Sequence, residues 1–233
     1  MMKVFVSIFF ILLSFTIQSQ NFDHAIWNSI LKEYVSSDGH VNYKAIKENH
    51  DKLDKYLLAL SKTTPDERWS KNETLAYWIN AYNAFTVKLI IDNYPLKSIK
   101  DIENPWDINF ITIGGETLSL NHIEHNILRK MEEPRIHFAI VCASVSCPKL
   151  QNEALIASKL DVQLSYAAKE FLSDNTKNDI SEKHLYLSKI FQWFPKDFKK
   201  NGDLIAFLNQ YSQINISKDA KVKFKDYNWN LNE

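Results

Sequence analysis

The stretch from Ser70 to Asn93 sets the terms on which the rest of this chain can fold. Leu75, Trp78, Ile79, Tyr82, Phe85, Leu89 and Ile90 recur at helical spacing and form one apolar face, while Ala76, Ala84, Val87 and Ile91 make the other side apolar too. A helix that is apolar all round has no face to give to solvent and must be covered on every side. Ser70-x-x-Glu73 has the form of a capping box that starts it, and Pro95 follows its end. Two amides, Asn80 and Asn83, interrupt the apolar surface one turn apart. An unpaired buried amide costs about 1–3 kcal/mol, so each must either bond to neighbouring backbone or line a polar cavity.

With 233 residues, 45% hydrophobic and 13% aromatic, the chain can supply that cover within a single globular domain. Before the central helix, Phe22, Ala25, Ile26, Ile30, Leu31 and Tyr34 predict an amphipathic helix over 22–35, ended by Ser36–Gly39. An extended His40–Tyr43 and a second helix from about Lys44 to Leu60 follow, up to a break at Thr63–Asp66. After the central helix, Ile108–Ile113 and Glu116–Leu120 flank Gly114-Gly115, where both turn positions can take positive φ, so a hairpin is expected. A helix capped by Asn121 then carries His122, Glu124, His125 and Arg129. Downstream, the pattern predicts a helix over 154–172, a second hairpin from 179–180 and 184–187, and an aromatic core segment over 190–198. A helix over 203–211 and an extended end over 222–229 complete it. The expected fold class is α+β: a mostly helical single domain around a buried central helix, with small antiparallel hairpins.

Basic and acidic residues balance at 28 each and no basic run gathers on the chain, which argues against a nucleic-acid partner. Lys3 and the apolar run after it, ending at Ser19, have the form of a secretory signal peptide over 1–19, leaving the domain over 20–233. That run is shorter than the roughly 20 residues needed to cross a bilayer, so no stable membrane span is expected after cleavage. No cysteine follows it to carry a lipid anchor. The mature chain is thus expected in the periplasm or outside the cell, where cysteines meet an oxidising environment.

Chemistry is concentrated between Arg135 and Lys149, which hold both cysteines, Cys142 and Cys147, together with His137. The run His137–Cys142 is too apolar for a surface loop, and its periodicity fits a buried strand or a buried helical segment equally. Pro148 favours an extended Cys147. Three readings of the thiols stay open. Joined, they close a short loop worth about 2 kcal/mol, a local staple. Apart, one is a nucleophile with His137 or His125 as its base. As metal ligands, His137-x4-Cys142-x4-Cys147 has none of the usual zinc spacings. His122 and His125, three apart, could begin a metal site, but such a pair is more often solvated or capping; no metal and no cofactor is expected.

Several separated motifs together resemble the domain of unknown function number 547. These are Trp78-Ile-Asn80-Ala-Tyr82-Asn83-Ala84, Leu118-Ser-Leu120-Asn-His-Ile123-Glu124-His125 with Leu128-Arg129, Arg135-Ile-His137-Phe138-Ala139 with Cys142, and Ser146-Cys147-Pro148. Gly39-His-Val41-Asn-Tyr43 and Phe191-Gln-Trp193 with Asp197-Phe198 fit the same pattern. The resemblance spans nearly the whole chain after residue 19 and implies a family without an assigned function, found in exported bacterial proteins and in plants and animals. Papain-like and transglutaminase-like enzymes share a buried central helix and a Cys–His pair, but carry the cysteine at the start of that helix, where this chain has none. Two functions follow as expectations. One is a hydrolase or acyl-transfer enzyme acting on a small molecule or peptide in a polar cleft of Asn80, Asn83, Glu124, His125, His137 and Cys147. Cys147 attacks there, His137 takes its proton, and an Asn amide orients the histidine or binds the oxyanion. The other is a non-catalytic exported binding module whose same residues form a buried structural network.

Overall fold

The computed structural model describes residues 22–200 and 202–233, so the expected signal segment lies outside the described residues. The fold is α+β and mostly helical. No described helix is long and apolar enough to cross a membrane. At the centre stands α4 (Lys71–Asn93), buried at nearly every position from Leu75 to Ile91. Its start is the expected capping box. The Glu73 N–H donates to Ser70 Oγ (3.2 Å) while the Ser70 N–H donates to Glu73 Oε2 (2.6 Å).

Three helices pack ahead of it: α1 (Ala25–Tyr34), α2 (Tyr43–Glu48) and α3 (Asp51–Ser61). The single helix expected from Lys44 to Leu60 is therefore two. The interruption lies at Asn49, whose side chain donates to the Ala45 carbonyl (3.0 Å) while its N–H reaches the Ala45 and Ile46 carbonyls, closing α2. Asparagine competes for local backbone in this way, which is why it favours helix ends over helix middles. The strands β1 (Ile111–Ile113) and β2 (Glu116–Leu118) form the first hairpin around Gly114 (φ 61°) and Gly115 (φ 83°), as the Gly-Gly turn demanded.

Where one α-helix capped by Asn121 was expected, the chain makes a π-helical turn over His122–Ile127 and then 3₁₀ turns over Leu128–Met131 and Pro134–Phe138. Asn121 is itself helical and its side chain donates to Asp107. The cap is Ser119, whose Oγ accepts from the His122 N–H at 3.1 Å. Beyond the active stretch, a 3₁₀ turn over Ala157–Lys159 leads into α5 (Leu160–Ser173), so the regular helix starts later than the apolar spacing suggested. β3 (Asp179–Ile180) and β4 (His184–Leu187) form the second antiparallel hairpin, and β5 (Lys221–Phe224) joins β4 in parallel. Two short helices, α6 (Ile190–Trp193) and α7 (Leu204–Asn209), complete the element order.

Buried side chains gather in two cores. One surrounds α4; the other unites Phe138, Phe171, Leu185, Leu187, Phe191, Phe198, Phe207 and Leu208 with neighbours from α5 onward. The segment after Phe138 runs between them and is neither the strand nor the helix that its apolarity allowed. Its backbone polar groups are satisfied by a side chain instead of a ladder. Asn83 Nδ2 donates to the Ala139 carbonyl (2.8 Å) and the Val141 N–H donates to Asn83 Oδ1 (3.0 Å). Asn80 clamps Leu155 the same way, at 2.7 and 3.1 Å. Ala143 then takes a left-handed φ of 54°, and the chain end lies alongside: the Val145 and Ser146 N–H groups donate to the Asn230 and Asn228 carbonyls.

These clamps generate a stability prediction. Asn80→Leu or Asn83→Leu strands one buried carbonyl and one buried N–H, each costing about 1–3 kcal/mol. Both variants are expected to lower the urea midpoint without changing the slope. Wild-type midpoints in both would show that the stranded groups find other partners.

Candidate functional site

The junction of the two cores leaves a cavity of about 280 Å³. Glu124, His125, His137, Cys142 and Cys147 supply its reactive groups, and its walls are mostly aromatic: Tyr82, Trp106, Trp193, Phe194, Tyr227 and Trp229. Four of the six expected site residues thus come together here. Asn80 and Asn83 do not line the space, because both amides are committed to main chain.

The π-helical turn places the first two groups. Such turns are uncommon and recur at functional sites, where they shift one helical face by a residue. Glu124 is buried behind Tyr82, whose hydroxyl donates to its Oε2 at 3.3 Å. Burial dominates and raises its carboxyl to about 7, although the Tyr82 bond and the Arg129 charge pull the other way. His125 Nδ1 lies 2.8 Å from Arg129 Nη1. A guanidinium only donates, so Nδ1 accepts and the neutral ring carries its proton on Nε2.

Arg129 also grips Asp197 through two nitrogens, at 2.6 and 3.1 Å, and the same carboxylate meets His137 Nε2 at 2.8 Å. Burial alone would raise Asp197, but the bonds from His137 and Arg129 and their charges outweigh it and hold the carboxyl well below its ordinary range. Burial lowers His137 despite Asp197. His137 is therefore a neutral imidazole whose Nε2–H is spent on Asp197, leaving Nδ1 as an acceptor. Phe194 stacks on that ring at 4.1 Å and fixes its plane.

The cysteines are free thiols. Their sulfurs lie 2.9 Å apart, beyond the roughly 2.05 Å of a disulfide, so the joined staple among the expected readings is not formed. Cys142 is partly exposed and Cys147 buried. Cys142 Sγ has Cys147 Sγ at 2.9 Å, Ser144 Oγ at 3.1 Å and the Tyr227 hydroxyl at 3.2 Å. Burial raises the Cys142 thiol, but those three bonds together bring it below its ordinary value. Burial and the bond to Cys142 push Cys147 well up. The more acidic thiol is thus Cys142, whereas the sequence pointed to Cys147. Among the described residues no cluster of three or more His, Cys, Asp or Glu is arranged to hold a metal ion. His122 Nδ1 pairs instead with the Asn126 amide at 3.3 Å.

Asp197, Tyr82, Tyr227 and the tryptophans were missed as site residues. Asp197 stands in the Asp197-Phe198 motif that carried the family resemblance, so a signal existed for it. For Tyr227 and Trp229 there was none, because the chain end reaches the cavity through bonds to residues far away in sequence, at 97, 143, 145 and 146.

Glu124 generates a prediction about pH and stability. Its folded pKa of about 7 stands above the ordinary carboxylate value of about 4.3. Folding therefore favours the protonated form. That stabilisation is complete below about pH 4.3, falls as pH rises, and is gone above about pH 7, a loss of about 4 kcal/mol. Glu124→Gln should remove this slope and make the protein more stable than wild type at pH 8. Denaturation midpoints across pH 4–9 measure it, and parallel curves for the two proteins would place Glu124 in contact with water.

A family model described as a protein of unknown function, DUF547, matches residues 67–172. That span takes in α4, the first hairpin, Glu124, His125, Arg129, His137 and both cysteines, while Asp197, Tyr227 and Trp229 lie beyond it. No curated protein and no solved structure matches the chain. The stretch that is similar to the DUF547 family, residues 67–172, supplies the thiols, the two histidines and the buried glutamate of the cavity.

Proposed function

We propose that the protein is a thiol-dependent acyl-transfer enzyme of the hydrolase type, with Cys142 as nucleophile. One observation carries the reading. The Cys142 thiol, acidified by three hydrogen-bonding neighbours, lines a small cavity that also holds a carboxyl raised to about 7 and a histidine lowered by burial. When two titratable groups of one site are driven apart in this way, their environments assign them opposite proton-transfer roles.

The chemistry runs as two displacements. Cys142 thiolate attacks the carbonyl carbon of the acyl donor, and the tetrahedral intermediate collapses as the protonated Glu124 gives its proton to the leaving group. A thioester now joins the acyl group to Cys142. Water attacks it, His137 Nδ1 takes the proton of that water, and the acid leaves as the Cys142 thiolate returns. The proton on His137 passes to Glu124 and restores both groups. Asp197 supports this by holding His137 in the tautomer with Nδ1 free, and the Nε2–H of His125 is a donor available to developing negative charge on oxygen. A cavity of about 280 Å³ with aromatic walls suits a small acyl group with an apolar or flat surface. Export belongs to the same proposal, supported by Lys3 and the apolar run to Ser19. Sequencing the amino terminus of the mature protein tests it, and an intact Met1 would end it.

The thiol chemistry is checked by alkylation. Iodoacetamide should label Cys142 in the folded protein with a pH midpoint below the ordinary thiol value of about 8.5. Cys142→Ala should abolish the labelling. Tyr227→Phe should slow it about tenfold at pH 7 by removing one bond to the thiolate. Aryl and alkyl thioesters should then leave an acyl group on Cys142 visible by intact-protein mass. Thiols that react only after unfolding would favour the binding module instead, and labelling without any acyl adduct would sink the acyl-transfer step.

A further inference from the structure

The cysteines are paired more closely than an acyl-transfer enzyme needs. We propose that Cys142 and Cys147 form a dithiol that exchanges with small disulfides and closes reversibly into an intramolecular disulfide. The proposal shares with the preceding reading the reactivity of Cys142, but it involves no carbonyl chemistry.

Three observations carry it. The sulfurs lie 2.9 Å apart, so closing to a bond of about 2.05 Å takes a movement of about 0.9 Å. The pair is asymmetric: Cys142 is partly exposed to the cavity while Cys147 is 5% exposed. Both residues line the cavity, but Cys142 is the more accessible of the two. Thirdly, the inner sulfur accepts the Cys142 backbone N–H at 2.9 Å, a bond that favours negative charge on Cys147 as its proton leaves. The outer thiol is also the more acidic of the two, which is the order that exchange requires.

The electrons balance in two steps. The Cys142 thiolate attacks one sulfur of a small disulfide, forming a mixed disulfide and releasing one thiolate. Cys147 then gives its proton to the Glu124 carboxylate and attacks the Cys142 sulfur, releasing the second thiolate, which takes up the proton that Glu124 holds. The protein loses two hydrogens and the small disulfide becomes two thiols. Closure consumes the Cys142 thiolate, so the oxidised form has no nucleophile for acyl transfer, and a small thiol in excess restores it by the reverse path.

Reduced full-length protein treated with oxidised glutathione tests this by intact mass and thiol counting. Wild type should end two hydrogens lighter, with both thiols closed to iodoacetamide after unfolding, no glutathione retained and two glutathione thiols released per chain. Cys147→Ser should stop with one glutathione held on Cys142, and Cys142→Ser should retain neither product. A wild type that keeps glutathione on Cys142 while Cys147 stays alkylatable, or that does not react at all, overturns the proposal. Should Cys147→Ser prove unfolded by circular dichroism, wild type decides by released glutathione and intact mass together: two released per chain with none retained support closure, and any glutathione retained on the protein overturns it. Iodoacetamide labelling of reduced Cys142 is read in parallel, so loss of the dithiol reading leaves the acyl-transfer reading standing or falling on its own.

Discussion

The structure depends on keeping α4 out of water on every side. A buried helix cannot donate or accept through its own backbone, so whatever it must hold at a distance it holds by side chain, and Asn80 and Asn83 serve that purpose. Each amide accepts and donates once to a single neighbouring segment, which gives irregular backbone the two-point restraint it would otherwise gain from a strand partner. The consequence reaches the thiols directly. Pinned at Ala139 and Val141, the chain arrives at Cys142 free of any ladder, and can turn through the left-handed Ala143 so that Cys142 and Cys147 face one another.

That constraint made part of the molecule legible in its sequence. The capping box, the extent of α4 and the Gly-Gly hairpin followed from local rules that tertiary packing did not contradict. Of the cleft expected from the motifs, Glu124, His125, His137 and Cys147 do line one cavity, while Asn80 and Asn83 do not and Cys142, which was not placed there, does. Failures fell where local chemistry competes with periodicity. Asn49 ended a helix that apolar spacing would have continued, and Ser119 displaced Asn121 as a cap because the helix began one turn of logic earlier than its first asparagine. The π turn had no sequence signal, since its apolar positions also fit an ordinary helix.

The choice between the thiols shows a different kind of illegibility. Pro148 and the apolar run could not tell which cysteine would be the more acidic, because acidity here is set by how the folded loop turns Cys147 and Ser144 toward Cys142, with Tyr227 added from the chain end. Tyr227 reaches Cys142 from 85 positions away, on a chain end held by bonds to residues 97, 143, 145 and 146. The same holds for His137, whose orienting carboxylate is 60 positions downstream. Asp197 and Tyr227 both lie outside the matched family span, whereas Cys147 and Ser144 lie within it.

Burial unites these features, because it acts with opposite sign on acids and bases. The one step that takes Glu124, His137 and the sulfurs out of water raises the carboxyl and lowers the imidazole. It would raise both thiols, were it not for the hydroxyls and the second sulfur around Cys142. Asp197 escapes the same rise because Arg129 and His137 both bond to it. Charge in this cavity is thus permitted only where a specific partner has been provided, and the sites so provided are Cys142 and Asp197. Of these two only Cys142 lines the cavity, since Asp197 is held by Arg129 and His137. The geometry therefore singles out one atom, the Cys142 sulfur, as the point at which a ligand in the cavity would meet the more acidic thiol.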